Sequence, residues 1–301
     1  MSISQYIKEI GRGQRGARPL DRAQATDLMG QVLDGTITDL ELGAFCLAMR
    51  IKGETPEEMA GFLDAAHARM TLVPAGRRPL VVLPSYNGAR RLPVLTPLLA
   101  LLVARRGLPV LLHGTATEDS RVTVPQVLAA LDHPPLATIR ALADGEAAYA
   151  PLELLSPALK RLLDVRRAVG LRNSGHSMVK LMNPSASAAV IVSSYTHREY
   201  AESMSAVFQL QGATALLLRG TEGEAVADAR RLPQMDGFIR GRHVALEVGQ
   251  KGTLTDLPDL PKDIDALTTA AYIRDVLDDR RPVPTSMTQQ VEHILHLADA
   301  A

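Results

Sequence analysis

Four short and almost wholly apolar runs, at residues 80–84, 109–114, 188–193 and 213–220, end in turn residues and alternate with helix-length segments. Strands apolar at nearly every position have no solvated face, so they predict a mainly parallel sheet covered by helices on both sides. Helix-like stretches at residues 95–106, 124–131 and 197–210 supply that cover. In open sheets of this kind, ligands bind beyond the carboxyl ends of the strands. Those ends fall at residues 84–91, 113–121, 193–196 and 219–224, which makes them the first place to look for a site.

Ahead of residue 74 the period changes. Ile3, Tyr6, Ile7 and Ile10 recur at helical spacing. Three more helices are marked at their starts: Asp21 with Gln24, Thr38 with Glu41, and Thr55 with Glu58. Each pair is a capping box, in which two side chains satisfy backbone N–H groups that a helix start leaves unpaired. The expected fold is therefore α/β, with a small helical domain over residues 1–73 and a larger α/β domain over residues 74–301. An amphipathic segment within about 150–170 is placed to return to the helical domain.

Composition narrows the function. With six Tyr, four Phe and no Trp, the chain lacks the aromatic faces on which single-stranded bases stack. Cys46 is the only cysteine and lies in an apolar run, so it reads as a small core residue, with no intramolecular disulfide. No H-x-x-x-H or carboxylate–histidine cluster reads as a transition-metal site. No signal-peptide core precedes residue 7, and no apolar stretch is long enough to span a bilayer. A cytoplasmic, soluble protein is expected, with no membrane partner. The 33 basic and 33 acidic side chains cancel, yet they are segregated. Residues 160–180 carry six basic side chains against one acid, and residues 251–301 carry five against nine.

The strand ends and residues 166–184 together resemble anthranilate phosphoribosyltransferase, of glycosyltransferase family 3, over nearly the whole chain. The resemblance implies the nucleoside phosphorylase or class IV phosphoribosyltransferase type of fold. That family's G-T-G-G-D phosphate loop falls at Pro84-Ser85-Tyr86-Asn87-Gly88, and its N-x-S-T at Val94-Leu95-Thr96-Pro97. Its K-H-G-N-R falls at Leu112-His113-Gly114-Thr115-Ala116, keeping only the histidine and glycine. Its H-P-A-x-K falls at Ser156-Pro157-Ala158-Leu159-Lys160, and its magnesium-holding acidic pair near Ala225-Val226, beside Glu222 and Glu224. Arg166, Gly170-Leu171-Arg172 and Asn183-Pro184 match its acceptor side. A loop of Pro84, Ser85 and Tyr86 cannot approach a diphosphate as closely as glycines can. Without the lysine and the metal pair, a pyrophosphate leaving group has no charge compensation. No catalytic residue is therefore assigned, and no cofactor is expected.

A closer resemblance is to the YbiB group of that family, carried by Ile7-Lys-Glu-Ile-Gly-Arg-Gly, Arg50-Ile-Lys-Gly-Glu, Gly170-Leu-Arg-Asn-Ser-Gly-His-Ser and Arg219-Gly-Thr-Glu-Gly-Glu. It implies DNA or RNA as partner and a homodimer joined through the helical domains. The candidate phosphate-backbone residues are Lys8, Arg12, Arg15 and Arg18, then Arg90 and Arg91, then Lys160, Arg161, Arg166, Arg167, Arg172 and Lys180. Such contacts give affinity with little sequence preference. Ser85, Asn87, Gly88, Thr96, His113, Gly114 and Thr115 form a vestigial phosphate site, where threonine hydroxyls can still hold a single anion. His113 and His176 read as hydrogen-bonded structural histidines. The alternative is an active transferase that uses phosphoribosyl pyrophosphate, magnesium and an aromatic or other small acceptor.

Overall fold

The computed structural model describes residues 2–13, 15–254 and 257–301; Gln14, within the arginine-bearing segment 12–18, lies outside them. The chain opens with four helices, α1 (Ser4–Ile10), α2 (Arg22–Asp34), α3 (Asp39–Lys52) and α4 (Pro56–His67). Next come β1 (Leu80–Pro84), α5 (Thr96–Arg105), β2 (Val110–Gly114), α6 (Val124–Ala130) and β3 (Ala147–Pro151). Three helices follow, α7 (Leu152–Leu155), α8 (Pro157–Val169) and α9 (Gly175–Leu181), then β4 (Ala189–Tyr195), α10 (Arg198–Leu210) and β5 (Ala215–Arg219). The chain closes with β6 (Met235–Ile239), β7 (Arg242–Glu247), α11 (Ala266–Leu277) and α12 (Thr285–Asp299). Two compact units result, one of residues 1–71 and 152–184, the other of residues 72–151 and 185–301.

In the helical unit all three predicted capping boxes form, at Asp21–Gln24, Thr38–Glu41 and Thr55–Glu58. The last does more than cap α4. Glu58 is fully buried, and its carboxylate accepts the backbone N–H of Leu20 (2.9 Å), that of Thr55 (2.9 Å) and the ammonium of Lys52 (2.6 Å). Breaking a buried pair by removing one partner leaves an uncompensated charge. Glu58→Ala should therefore lower the unit's stability by about 3–5 kcal/mol in urea unfolding. Around this pair the core is Leu, Met and Ala with two phenylalanines, Phe45 and Phe62, meeting edge to face at 6.0 Å.

The α/β unit is a seven-stranded sheet in the order β3-β2-β1-β4-β5-β6-β7. The first five strands are parallel, and β6 and β7 join antiparallel. β1, β2, β4 and β5 coincide with the four apolar runs within a residue or two. β3, β6 and β7 have no comparable signal, being alanine-rich, glycine-containing and half-solvated respectively. Between β1 and β4 the strand order reverses, which opens a crevice at the carboxyl ends of the strands. One sheet face packs under α5, α6, α11 and α12 around Leu98, Val103, Ile273, Ile294 and Leu297. Among the described residues no helix is long and apolar enough to cross a membrane.

Candidate functional site

The loop after β1 and the loop after β5 meet across the end of β4. Glu224 is 2% exposed, and its Oε1 accepts the backbone N–H groups of Asn87 (2.9 Å) and Gly88 (2.8 Å). Its Oε2 accepts the hydroxyl of Thr96 (3.2 Å), the first residue of α5. Two residues earlier, Glu222 accepts the N–H groups of Arg90 (2.7 Å), Arg91 (3.1 Å) and Leu92 (3.3 Å). Asn87 Nδ2 and the Ser194 hydroxyl both donate to the carbonyl of Gly223. Beneath the loop, Gln290 of α12 donates to the Ala225 carbonyl and accepts from the Ala227 N–H.

This arrangement revises the expectation of a lost phosphate loop. Backbone donors still converge at Asn87 and Gly88, but an internal carboxylate fills them. The acidic pair does not fit a magnesium ion either. Glu222 and Glu224 point their oxygens at N–H and O–H donors, and Ala225 and Val226 are buried and apolar. No group of three potential ligands that could hold a metal occurs among the described residues.

The other vestigial positions lie in or beside β1 and β2. Ser85 is buried, and its N–H donates to the His113 carbonyl (2.8 Å). The carbonyl of Gly114 accepts the Tyr149 hydroxyl (2.8 Å). Thr115 is half-buried, and it is Thr117 whose hydroxyl reaches the Tyr86 carbonyl. His113 is fully buried, and neither ring nitrogen has a partner among the described residues. Burial pushes its pKa down to about 4. The guanidinium groups of Arg90 and Arg91 are exposed.

In the helical unit the basic candidates divide by partner. Lys160 is held by Asp164 and Glu153, Arg167 lies 3.8 Å from Asp164, Arg161 donates to the Leu33 carbonyl, and Arg12 pairs with Glu9. Lys8, Arg15 and Arg18 are exposed on or just after α1, and Lys180 is half-buried on α9. A further cluster of arginines acts electrostatically on His176, which is 4% exposed. Its Nδ1 lies 3.2 Å from the Asn173 carbonyl oxygen. Burial first, then the positive charges of Arg172, Arg166 and Arg50, hold its pKa down at about 4. Arg50, at the end of α3, was not among the sequence candidates. Its only signal there was the Arg50-Ile-Lys-Gly-Glu segment. Glu54 borders the cluster, accepting the Ser174 hydroxyl.

The two histidines set a pH dependence. Each has a folded pKa near 4, below the ordinary unfolded value of about 6.5. The unfolded chain therefore takes up protons first, and stability falls as pH drops from about 6.5 to about 4, then levels. Urea unfolding at pH 7 and pH 5 should differ by about 2 kcal/mol per histidine. His113→Leu should flatten its share of that slope.

The family described as glycosyl transferase family, helical bundle domain, matches residues 4–70. The uncharacterized protein YbiB of Escherichia coli is 37% identical over 97% of this chain and 92% of its own length. The chain belongs to the YbiB family. The chain is also similar to the anthranilate phosphoribosyltransferase of Saccharopolyspora erythraea, 30% identical over 78% of this chain and 64% of that protein. The crystal structure of anthranilate phosphoribosyltransferase from Thermus thermophilus shares the fold, with a TM-score of 0.74 and 21% identity over 98% of this chain and 89% of that one. The YbiB-family chain thus keeps the transferase scaffold while filling its loop with Glu224.

Proposed function

We propose that this chain is a nucleic-acid-binding protein on an anthranilate phosphoribosyltransferase scaffold, engaging phosphate backbones through its helical unit without performing the transfer. The observation that carries the reading is the gathering of basic side chains in the helical unit, where Arg50, Arg166 and Arg172 are near enough to His176 for their charge to lower its pKa. Residues 152–184 of the same unit carry six basic against two acidic side chains. Guanidinium groups suit phosphate because their planar fork donates two parallel hydrogen bonds. A second copy is part of the proposal. Leu40, Leu47 and Ile51 lie exposed along one face of α3, the apolar surface a homodimer through the helical units would cover.

Fluorescence anisotropy with short DNA and RNA oligonucleotides tests the reading. Log affinity should fall linearly with log salt, and the sedimenting mass should be that of a dimer. Affinity indifferent to salt between low and moderate ionic strength would sink it. The transferase alternative is checked by calorimetry with phosphoribosyl pyrophosphate and magnesium. The internal carboxylate at Asn87 and Gly88 argues for no heat, and saturable heat at millimolar ligand would favour the enzyme.

A further inference from the structure

Glu224 is a carboxylate enclosed with neutral donors only. Two consecutive backbone N–H groups converge on one oxygen, and the Thr96 hydroxyl reaches the other. Thr96 opens α5, and Leu95 before it supplies no side-chain cap. The positive end of the helix dipole therefore lies beside the carboxylate. Consecutive N–H groups next to a helix start are how proteins hold free oxyanions such as phosphate. Burying a charge here costs heavily unless such donors replace its water. The chain has built an oxyanion cradle and placed its own oxyanion in it.

We propose that Glu224 is a built-in blocking ligand, and that residues 220–226 are the latch that keeps it seated in a cradle still competent for phosphate or pyrophosphate. Glu222 fastens the latch on one side through the N–H groups of Arg90, Arg91 and Leu92. Gln290 supports it from below at Ala225 and Ala227. Between the two glutamates the backbone passes so close to Asn87 that a Cβ on Gly223 would lie 2.5 Å from its Nδ2. Gly223 also has φ +90°, a conformation that side-chain-bearing residues rarely adopt. These contacts explain why a carboxylate five residues beyond the end of β5 reaches the β1 loop. They also mean that the latch, and not the loss of loop glycines, closes the cradle. This inference rests on the non-catalytic reading of the donor site and is independent of nucleic-acid binding.

The test is pyrophosphate alone, titrated by calorimetry into wild type, Glu224→Ala and Glu224→Gln. Wild type should bind none at millimolar concentration. Glu224→Gln still fills the space and should behave like wild type. Glu224→Ala should bind saturably, at least about 100-fold tighter than wild type, as expected when an oxyanion meets unoccupied backbone donors. Its thermal midpoint should rise with added pyrophosphate. A folded Glu224→Ala that ignores pyrophosphate overturns the proposal, as does wild type binding equally well. Should Glu224→Ala not fold in buffer, refolding with pyrophosphate decides: recovery of the native near-ultraviolet dichroism supports the latch, and no recovery overturns it. Failure of wild type to bind oligonucleotides counts against the function proposed above and leaves the latch standing.

Discussion

Replacing Arg50, Arg166 and Arg172 together by alanine should weaken oligonucleotide binding roughly 100-fold at low salt and make the salt slope less negative by about 3. Each arginine on a phosphate displaces a condensed counterion, and the slope counts those contacts at about 0.9 each on duplex DNA. The loss should be similar for unrelated sequences, because phosphate contacts carry no sequence information. Changing the same three residues to lysine keeps the charge but loses the bidentate fork. Most of the slope should therefore survive while affinity drops less than with alanine. The variant also has a readout independent of any ligand. With three positive charges gone, the His176 pKa should climb from about 4 toward its ordinary value, followed by NMR titration, although burial still holds it down in part. An unchanged slope in a folded alanine variant would remove these residues from the interface.

Gly114→Ala should cost more than about 4 kcal/mol or prevent the α/β unit from folding. A Cβ there would lie 1.7 Å from the Ser85 carbonyl oxygen, and Gly114 has φ +151°. The neighbours cannot yield. Ser85 is tied by its N–H to His113, the Gly114 carbonyl is tied to Tyr149, and β1 pairs with β2 through Pro84 and His113. Gly107 is the control. It also has positive φ (+87°), but a Cβ there meets nothing within 4 Å. Gly107→Ala should therefore cost only the backbone strain, about 1–2 kcal/mol. Comparable losses at the two positions, by urea unfolding, would mean that close approach is not what keeps glycine at 114.

The sequence predicted α1 to α4 well because these helices are specified locally, whereas residues 171–184, expected in the α/β domain, fall in the helical unit. A capping box needs residues only three apart, and Asp21, Thr38 and Thr55 each have the required partner. β1, β2, β4 and β5 were legible because strands buried on both faces must be apolar throughout. β3 and the β6–β7 hairpin were not, since Ala147–Pro151 and Arg242–Glu247 become strands only through the edges they join.

The site divides in the same way. The resemblance to the transferase implied that its lysine and metal pair are replaced, and residue types showed that basic residues gather around residues 160–180. Tertiary structure decided what replaced them. Glu224 lies 137 residues from Asn87, and only the strand order β1-β4-β5 brings the two loops together. Likewise the combined effect of Arg50, Arg166 and Arg172 on the charge of His176 depends on helices from two separate stretches folding into one unit. Local sequence can specify a cap, a turn or a buried strand, because those free energies are settled within a few residues. Which carboxylate fills a backbone cradle, and which arginines share one histidine, depends on long-range packing that no segment encodes by itself.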